Sequence, residues 1–163
     1  MVKQYIENMT YQVISEFAKT IERFGLSPLD ARLFAYLYTE KEPKTLDDMG
    51  DALGKSKTSM STSIRNLSQQ NLVKRVWKKG CRKNLYEADT NLFNLFIISQ
   101  INQWLDFTKQ QKRTLVHLKS QCNEQTINDE EKLIQQQLDQ IIAFHTQIET
   151  FIQDIKQTQK SNE

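Results

Sequence analysis

Apolar residues recur every three or four positions along most of this chain, which is the period of an amphipathic helix. The pattern first covers residues 4–24, and Gly25 follows at a point where helices commonly end. Ser27, Pro28 and Asp30 are residue types preferred at a helix start, which predicts a second helix up to Thr39. The apolar positions are Tyr5, Ile6, Met9, Val13, Phe17, Ile21 and Phe24 in the first helix and Leu29, Leu33, Phe34, Leu37 and Tyr38 in the second.

Two shorter helices follow. Thr45 can cap a third helix that ends at Gly54, and Ser56 can cap a fourth that runs to about Gln70. The connection between them is only about three residues long, which is typical of a helix-turn-helix. The buried positions predicted for the fourth helix are Met60, Ile64 and Leu67.

The pattern changes after the fourth helix. Residues 72–77 and 84–88 are rich in β-branched and apolar side chains, which predicts two strands. The basic segment between them contains Gly80 and forms the turn. The sequence therefore predicts a winged helix-turn-helix domain over residues 27–89 with a two-stranded wing.

Long helices are predicted on both sides of this domain. The chain becomes helical again from Thr90 to about Gln121, the pattern breaks at 123–128, and a last helix covers 129–158. Its apolar stripe has alternating spacings of four and three, which favours packing against another long helix. The stripe contains Ile134, Leu138, Ile141, His145, Ile148, Ile152 and Ile155.

The predicted fold is mainly α, with the winged domain between long N- and C-terminal dimerisation helices. Residues 1–26 and 90–158 form the predicted dimerisation region, and residues 159–163 are expected to be a frayed tail.

The basic residues are concentrated in the winged segment. Nine Lys or Arg residues and no Asp or Glu lie between Ala52 and Tyr86. Because the whole chain has 22 basic and 20 acidic residues, this window has a net charge of +9 and the remainder −7. Positive charge concentrated on a winged helix predicts binding to double-stranded DNA.

The predicted DNA contacts lie on the fourth helix and on the wing turn. Short hydroxyl side chains permit close approach to the major groove, and an arginine can reach guanine or phosphate. Cations on the wing set affinity and its salt dependence. The predicted contacts are Ser56, Lys57, Thr58, Ser59, Ser61, Thr62 and Arg65 on the helix and Lys78, Lys79, Arg82 and Lys83 on the wing. Since one winged domain covers few base pairs, we expect a homodimer on a pseudo-palindromic operator.

The composition argues against several other classes of protein. No stretch approaches the roughly 18 apolar residues of a membrane helix, and the first residues lack the apolar run of a secretory leader. Cys81 and Cys122 have no metal-ligand spacing, and His117 and His145 are too few and too far apart for a metal site. No arrangement of catalytic residues is visible. We expect a cytoplasmic protein that is not an enzyme, has no cofactor and does not associate with membranes.

Two runs in the winged segment resemble a known family. SKTSMSTSIRNL at 56–67 and VWKKGCRKNLY at 76–86 resemble the GbsR-type branch of the MarR superfamily of bacterial regulators. The detailed likeness covers about 45 residues and weakens back to Phe24, and the C-terminal helices match by pattern only. The resemblance implies a choline-sensing repressor of genes for glycine betaine synthesis or for uptake of its precursors.

A choline site requires aromatic side chains, because a quaternary ammonium donates no ordinary hydrogen bond and binds against the negative faces of rings. Aromatic residues near the joint between the wing and the following helices are the candidates. An aromatic cage is predicted from Tyr38, Trp77, Tyr86 and Trp104, whereas Phe93 and Phe96 are expected mainly to pack in the core.

Three alternatives to choline sensing remain open. In the first, the effector is a lipophilic or phenolic compound, as in other MarR-like regulators. In the second, Cys81 responds to oxidation, because its basic neighbours favour a reactive thiolate. In the third, no ligand binds, and the C-terminal helices serve only assembly or a protein partner.

Overall fold

The computed structural model describes residues 1–121 and 129–160, and the chain divides into two units, residues 1–96 and 97–163. The predicted break at 123–128, Cys122 and the last three residues lie outside the described residues. The elements are α1 (Val2–Glu22), α2 (Pro28–Thr39), α3 (Leu46–Leu53), α4 (Lys57–Gln69), β1 (Val73–Val76), β2 (Leu85–Ala88), a π-helical turn (Phe93–Ile98), α5 (Ser99–Ser120) and α6 (Asp129–Lys160). The prediction of a mainly helical winged helix-turn-helix is confirmed.

Side-chain caps define the starts of α2, α3 and α4. In each case a hydroxyl accepts a hydrogen bond from the backbone N–H three residues later, which satisfies a donor that the helix leaves free. At α3 the carboxylate of Asp48 also accepts from the backbone N–H of Thr45, which completes a capping box. The capping bonds run from Asp30 N to Ser27 Oγ, from Asp48 N to Thr45 Oγ1 and from Ser59 N to Ser56 Oγ, each at 3.2 Å.

The chain after β2 begins differently from the prediction. The side-chain oxygen of Asn91, rather than Thr90, accepts from the backbone N–H of Asn94 at 3.4 Å. A π-helical turn over Phe93–Ile98 then precedes α5. One extra residue per turn changes which side chains face inward, so a regular 3.6-residue pattern assigns the faces here incorrectly.

Helix α2 is the centre of the first unit. Six of its apolar residues are buried, because α1, α4 and β2 all pack against it. A helix surrounded by neighbours is apolar on nearly every side, in contrast to a surface helix. The buried apolar residues of α2 are Ala31, Leu33, Phe34, Ala35, Tyr36 and Leu37.

The buried apolar contacts of α1 come from its C-terminal half. Ile14, Ala18 and Ile21 are buried. The predicted apolar stripe continues towards the N-terminus, where its members Tyr5, Ile6, Met9 and Val13 are exposed. In the structure, α1 belongs to the same unit as the winged helix-turn-helix.

The wing is an antiparallel pair in which Val73 faces Ala88 and Val76 faces Leu85. A third segment joins it. Lys44, in the connection before α3, exchanges two backbone hydrogen bonds of 2.9 Å with Tyr86. The residues on either side of Lys44 are thereby held along the outer edge of β2, although the sequence predicted only a loop for them.

The second unit consists of α5 and α6, which pack against each other. Leu105, Thr108 and Ile152 are buried between them. The Lys112 ammonium donates to the Glu149 carboxylate at 2.8 Å across this contact. The predicted packing of the α6 stripe against a long helix is therefore seen at Ile152, whereas Ile134 and Ile141 of the same stripe are exposed. None of the described helices has both the length and the apolarity needed to cross a membrane.

Candidate nucleic-acid interface

Helix α4 presents a polar face built from the predicted contact residues. Its buried side holds Met60, Ile64 and Leu67, as the sequence predicted, together with Ser63. Three turns of polar side chains lie on the opposite side. The exposed residues of that face are Lys57, Thr58, Ser61, Thr62 and Arg65.

Some of the predicted hydroxyl contacts are already engaged within the helix. The Ser56 hydroxyl caps α4 and lies 2.9 Å from the Ser59 hydroxyl, and the Thr62 hydroxyl donates to the Thr58 carbonyl at 3.2 Å. Each hydroxyl oxygen retains further hydrogen-bonding capacity, so these bonds orient the side chains without exhausting them. The α4 face is therefore ordered before any partner arrives.

The turn between α3 and α4 fixes the direction in which α4 projects. The backbone N–H of Lys55 donates to the Gly50 carbonyl at 3.0 Å, and Gly54 adopts the left-handed conformation with φ +63°. A β-carbon at Gly50 would lie only 2.7 Å from the Lys55 carbonyl oxygen. Only glycine permits this close approach of the turn to α3. The sequence showed Gly50 but gave no sign of this role.

Four of the nine cations in the basic window pair with acidic residues that lie outside it. The carboxylates come from the edge segment before α3, from α3 itself and from β2. Counting the charges within the basic window missed these partners, because they lie outside the window and the fold brings them close. The pairs, with their N–O distances, are Lys57–Asp47 (2.9 Å), Lys83–Asp47 (3.0 Å), Lys78–Glu42 (2.9 Å) and Lys74–Glu87 (3.1 Å).

These contacts change the protonation equilibria of the partners. Hydrogen bonds from the Lys57 and Lys83 ammonium groups lower the pKa of Asp47, and the hydrogen bond from Lys78 lowers the pKa of Glu42. The hydrogen bond to Asp47 raises the pKa of Lys83. Both carboxylates are therefore ionised at neutral pH and reduce the positive field of the wing.

The other five cations are exposed and carry the remaining positive charge. None of them has an acidic partner within 4.0 Å in the part of the chain that the structure describes. They include the predicted contacts on α4 and on the wing that are available to phosphate. These residues are Lys55, Arg65, Arg75, Lys79 and Arg82.

The four predicted cage residues lie in different surroundings. Tyr38 is half-buried with its ring 5.2 Å from Phe17 and 6.3 Å from Phe34, and Tyr86 is half-buried against the same core. Trp77, in contrast, is 81% exposed. Two of the rings therefore serve packing within the first unit, and one stands in solvent.

The two phenylalanines on the π-helical turn also differ. Phe96 is buried, with its ring 5.1 Å from Phe24 and 5.5 Å from Phe34. Phe93 is exposed, which corrects the expectation that it packs in the core. The π-helical turn explains the difference, because it changes the spacing of inward positions.

Trp77 lines an open groove of about 670 Å³ on the wing. The same groove is lined by Arg75, Arg82 and Lys83. Three cations repel a quaternary ammonium and attract an anion. Trp77 therefore lies among cations that favour an anion over a quaternary ammonium.

Trp104 lies on α5 in the second unit, where it lines a groove of about 620 Å³ between α5 and α6. Three phenylalanines line the groove with it: Phe107, Phe144 and Phe151. Among the described residues, the lining contains no lysine, arginine or carboxylate. Sequence reasoning missed Phe144 and Phe151 because they fall off the predicted stripe of α6, and it did not single out Phe107 within the apolar run that begins α5.

The described cysteine and histidine residues form no metal site. Cys81 is half-buried in the wing turn, and its thiol donates to the Lys83 carbonyl at a sulfur–oxygen distance of 3.6 Å. His145 contacts the Ile141 carbonyl at 2.8 Å through Nδ1. Across residues 1–121 and 129–160, no group of three potential ligands is close enough to hold a metal ion.

The first unit is thus a winged helix-turn-helix with a basic, exposed face. Residues 24–76 match the model of the MarR family, in agreement with the predicted resemblance of the winged segment to that superfamily. It resembles a crystal structure of a transcriptional regulator with a TM-score of 0.61 and 17% identity, over 93% of this chain and 98% of that chain. That likeness shows the shared fold.

Two relatives from Bacillus subtilis (strain 168) are similar in sequence. The chain is 29% identical to the HTH-type transcriptional repressor OpcR over 66% of this chain and 58% of OpcR. It is 34% identical to the HTH-type transcriptional repressor GbsR over 56% of this chain and 50% of GbsR. The chain therefore matches a little over half of the length of these curated relatives. Both names describe regulators, in agreement with the prediction that the chain is not an enzyme.

Proposed function

We propose that the protein is a transcriptional repressor that binds double-stranded DNA as a cytoplasmic homodimer on a pseudo-palindromic operator. The observation that carries this proposal is the exposed polar face of α4 next to five cations without an acidic partner among the described residues. OpcR and GbsR, whose names describe repressors, support the direction of regulation.

In the proposed complex, α4 enters the major groove and Arg65 contacts a base edge or a phosphate. Lys79 and Arg82 on the wing contact the backbone or the minor groove. In this arrangement, contacts from α4 mainly determine which DNA sequence is bound. Contacts from the wing mainly determine the affinity and its dependence on salt.

Two apolar surfaces support self-association. One is the exposed N-terminal half of α1, and the other is the aromatic groove between α5 and α6. Apolar patches of this kind on a monomer mark sites that a partner covers. A second copy of the chain covers both apolar surfaces and provides a second α4 for the other half-site.

Selection of binding sequences from a random duplex library tests the proposal. The full chain is expected to enrich sequences with two related half-sites about one helical turn apart. Sedimentation equilibrium of the same preparation is expected to give a dimer. Recovery of no enriched sequence at moderate salt would contradict sequence-specific DNA binding.

For the effector, we propose choline or a related quaternary ammonium, with control of osmoprotectant genes. The resemblance of 56–67 and 76–86 to the GbsR-type branch supports this choice. The groove at Trp104 also supports it, because four aromatic rings without a lysine or arginine suit a permanent cation. The cationic surroundings of Trp77 argue against a site at the wing.

The two tryptophans permit a direct test, because the chain contains only these two and one lies in each unit. Choline is titrated into the Trp77→Phe and Trp104→Phe variants while fluorescence is recorded. A saturable change is expected in Trp77→Phe, in which Trp104 is the remaining reporter. Absence of any saturable change, together with no effect of choline on binding to the selected duplex, would remove the choline proposal.

A second candidate for the α5–α6 groove is assembly alone. The exposed fractions of Trp104 (59%) and Phe151 (66%) favour it, because rings so open to solvent are also suited to an interface between copies. In that case Phe151→Ala weakens the dimer, and choline changes neither fluorescence nor DNA binding. Competition with a phenolic compound, and peroxide treatment of a Cys81→Ser variant, test the remaining alternatives.

A further inference from the structure

Asp47 joins three elements of the basic face. It lies in the first turn of α3, and its two carboxylate oxygens accept from different lysines. Oδ1 contacts the Lys57 ammonium at the start of α4 at 2.9 Å, and Oδ2 contacts the Lys83 ammonium in the wing turn at 3.0 Å. One carboxylate thus connects the recognition helix with the wing.

The surroundings of Asp47 place this contact among the predicted DNA-contact residues. Asp47, Lys57, Arg82 and Lys83 line one shallow groove of about 280 Å³, with Thr45 and Asn84 beside them. Both lysines are about two-thirds exposed. A phosphate that approached this groove would compete with the carboxylate for the same ammonium groups.

We propose that Asp47 is a positioning residue that raises the specificity of DNA binding, and this inference rests on the proposed function. On DNA of arbitrary sequence, Lys57 and Lys83 must leave Asp47 before they can contact phosphate, so the bridge weakens non-specific binding. On the operator, the bridge holds α4 and the wing at a fixed spacing while Arg65 and the unpaired cations make the contacts. The ratio of operator affinity to non-specific affinity is therefore larger with the carboxylate than without it.

The neighbouring acid Asp51 provides a matched control. It lies on the same helix, is exposed, and has no ion pair within 4.0 Å among residues 1–121 and 129–160. Asp47→Asn and Asp51→Asn change the net charge of the protein equally. Only Asp47→Asn releases two lysines, so the two variants separate the bridge from the general effect of charge.

The experiment measures binding of the full chain to the selected duplex and to a scrambled duplex of the same length, at several salt concentrations. Asp47→Asn is expected to bind the scrambled duplex about 3- to 10-fold more tightly, with little gain on the selected duplex. Its slope of log affinity against log salt on the scrambled duplex is expected to steepen by about 1 to 2, because up to two further phosphate contacts form. Asp51→Asn is expected to change both duplexes alike.

A second comparison starts from the lysine. Lys83→Gln is expected to lower the affinity for the scrambled duplex more in the Asp47→Asn background than in the unmodified chain. The reason is that Lys83 is free to contact phosphate only when the Asp47 carboxylate no longer holds it. Circular dichroism shows whether each variant is folded, and Asp47 is not the residue that completes the capping box.

An affinity ratio that is the same in Asp47→Asn, in Asp51→Asn and in the unmodified chain would overturn the inference. Equal effects of Lys83→Gln in both backgrounds would overturn it as well. If the unmodified chain selects no sequence at all, the proposed function fails first, and this result is distinguishable from failure of the Asp47 bridge alone.

Discussion

Gly50 offers a sharp test of how the helix-turn-helix is built. It lies inside α3, where alanine is normally favoured over glycine by about 1 kcal/mol. A methyl group here would meet the Lys55 carbonyl oxygen at 2.7 Å and the Met60 side chain at 3.9 Å. The first of these contacts is with backbone, which cannot rotate away as a side chain can. We therefore expect Gly50→Ala to destabilise the protein although it improves helix propensity.

The magnitude follows from two opposing contributions. Forcing an extra methyl group into a packed site costs about 1–3 kcal/mol, and a backbone clash belongs at the upper end of this range. Subtracting the propensity gain of about 1 kcal/mol leaves a net loss of about 1–2 kcal/mol. For a unit of this size, that loss lowers the melting temperature by about 4–16 °C.

The assay is urea unfolding followed by circular dichroism, combined with binding to the selected duplex. Ala52→Gly, at an exposed position of the same helix, measures the propensity contribution directly. A lower operator affinity is also expected, because relief of the clash moves the turn that aims α4. A Gly50→Ala variant as stable as the unmodified chain would refute the close approach of this turn to α3.

Three further predictions follow, one on buried polar packing and two on the DNA surface. Asn66→Ala is expected to lower the free energy of unfolding in urea by about 1–3 kcal/mol, because the Asn66 side chain donates at 3.2 Å to the carboxylate of Asp30, which is only 7% exposed. Gln69→Ala, on the exposed side of α4, is the control, and its free energy of unfolding is expected to change by less than about 0.5 kcal/mol. Arg65→Ala is expected to weaken binding to the selected duplex and to relax base preference by about 1–3 kcal/mol at one position, if Arg65 reads a base. Lys79→Ala is expected to lower affinity for all duplexes and to make the slope of log affinity against log salt less steep by about 0.9. Unchanged affinity in both Arg65→Ala and Lys79→Ala would show that the DNA surface lies elsewhere.

The starts of α2, α3 and α4 were predictable because their causes are local. Ser27, Thr45 and Ser56 each act on a backbone N–H three residues away, so the sequence contains both partners of the interaction. The predicted buried face of α4 was correct for the same reason, since a helical period decides which residues share a side.

The composition of the charged surface was less predictable. A window free of Asp and Glu suggested nine available cations, but four of them pair with carboxylates brought in by the fold. The pairs of Lys78 with Glu42 and of Lys83 with Asp47 each span 36 residues. The backbone pairing of Lys44 with Tyr86 makes these contacts possible, and nothing in the local pattern announces it.

The surroundings of the aromatic residues were also not predictable from the sequence. Tyr38, Trp77, Tyr86 and Trp104 have similar chemistry, and the sequence placed them together by their order along the chain. In the structure, Tyr38 and Tyr86 complete the core, Trp77 stands among cations, and Trp104 lines a groove with three phenylalanines. Burial depends on which elements pack together, so residue type alone does not decide it.

By itself, the sequence determined the winged helix-turn-helix and the concentration of basic residues on it, because caps, turns and periodicity act over a few residues. Only the tertiary structure decided which cations remain available, which aromatic rings are exposed and how Asp47 links α4 to the wing. Those properties depend on contacts between segments far apart in the chain. The free energy of such contacts is set by distance and burial, and neither is present in a linear sequence.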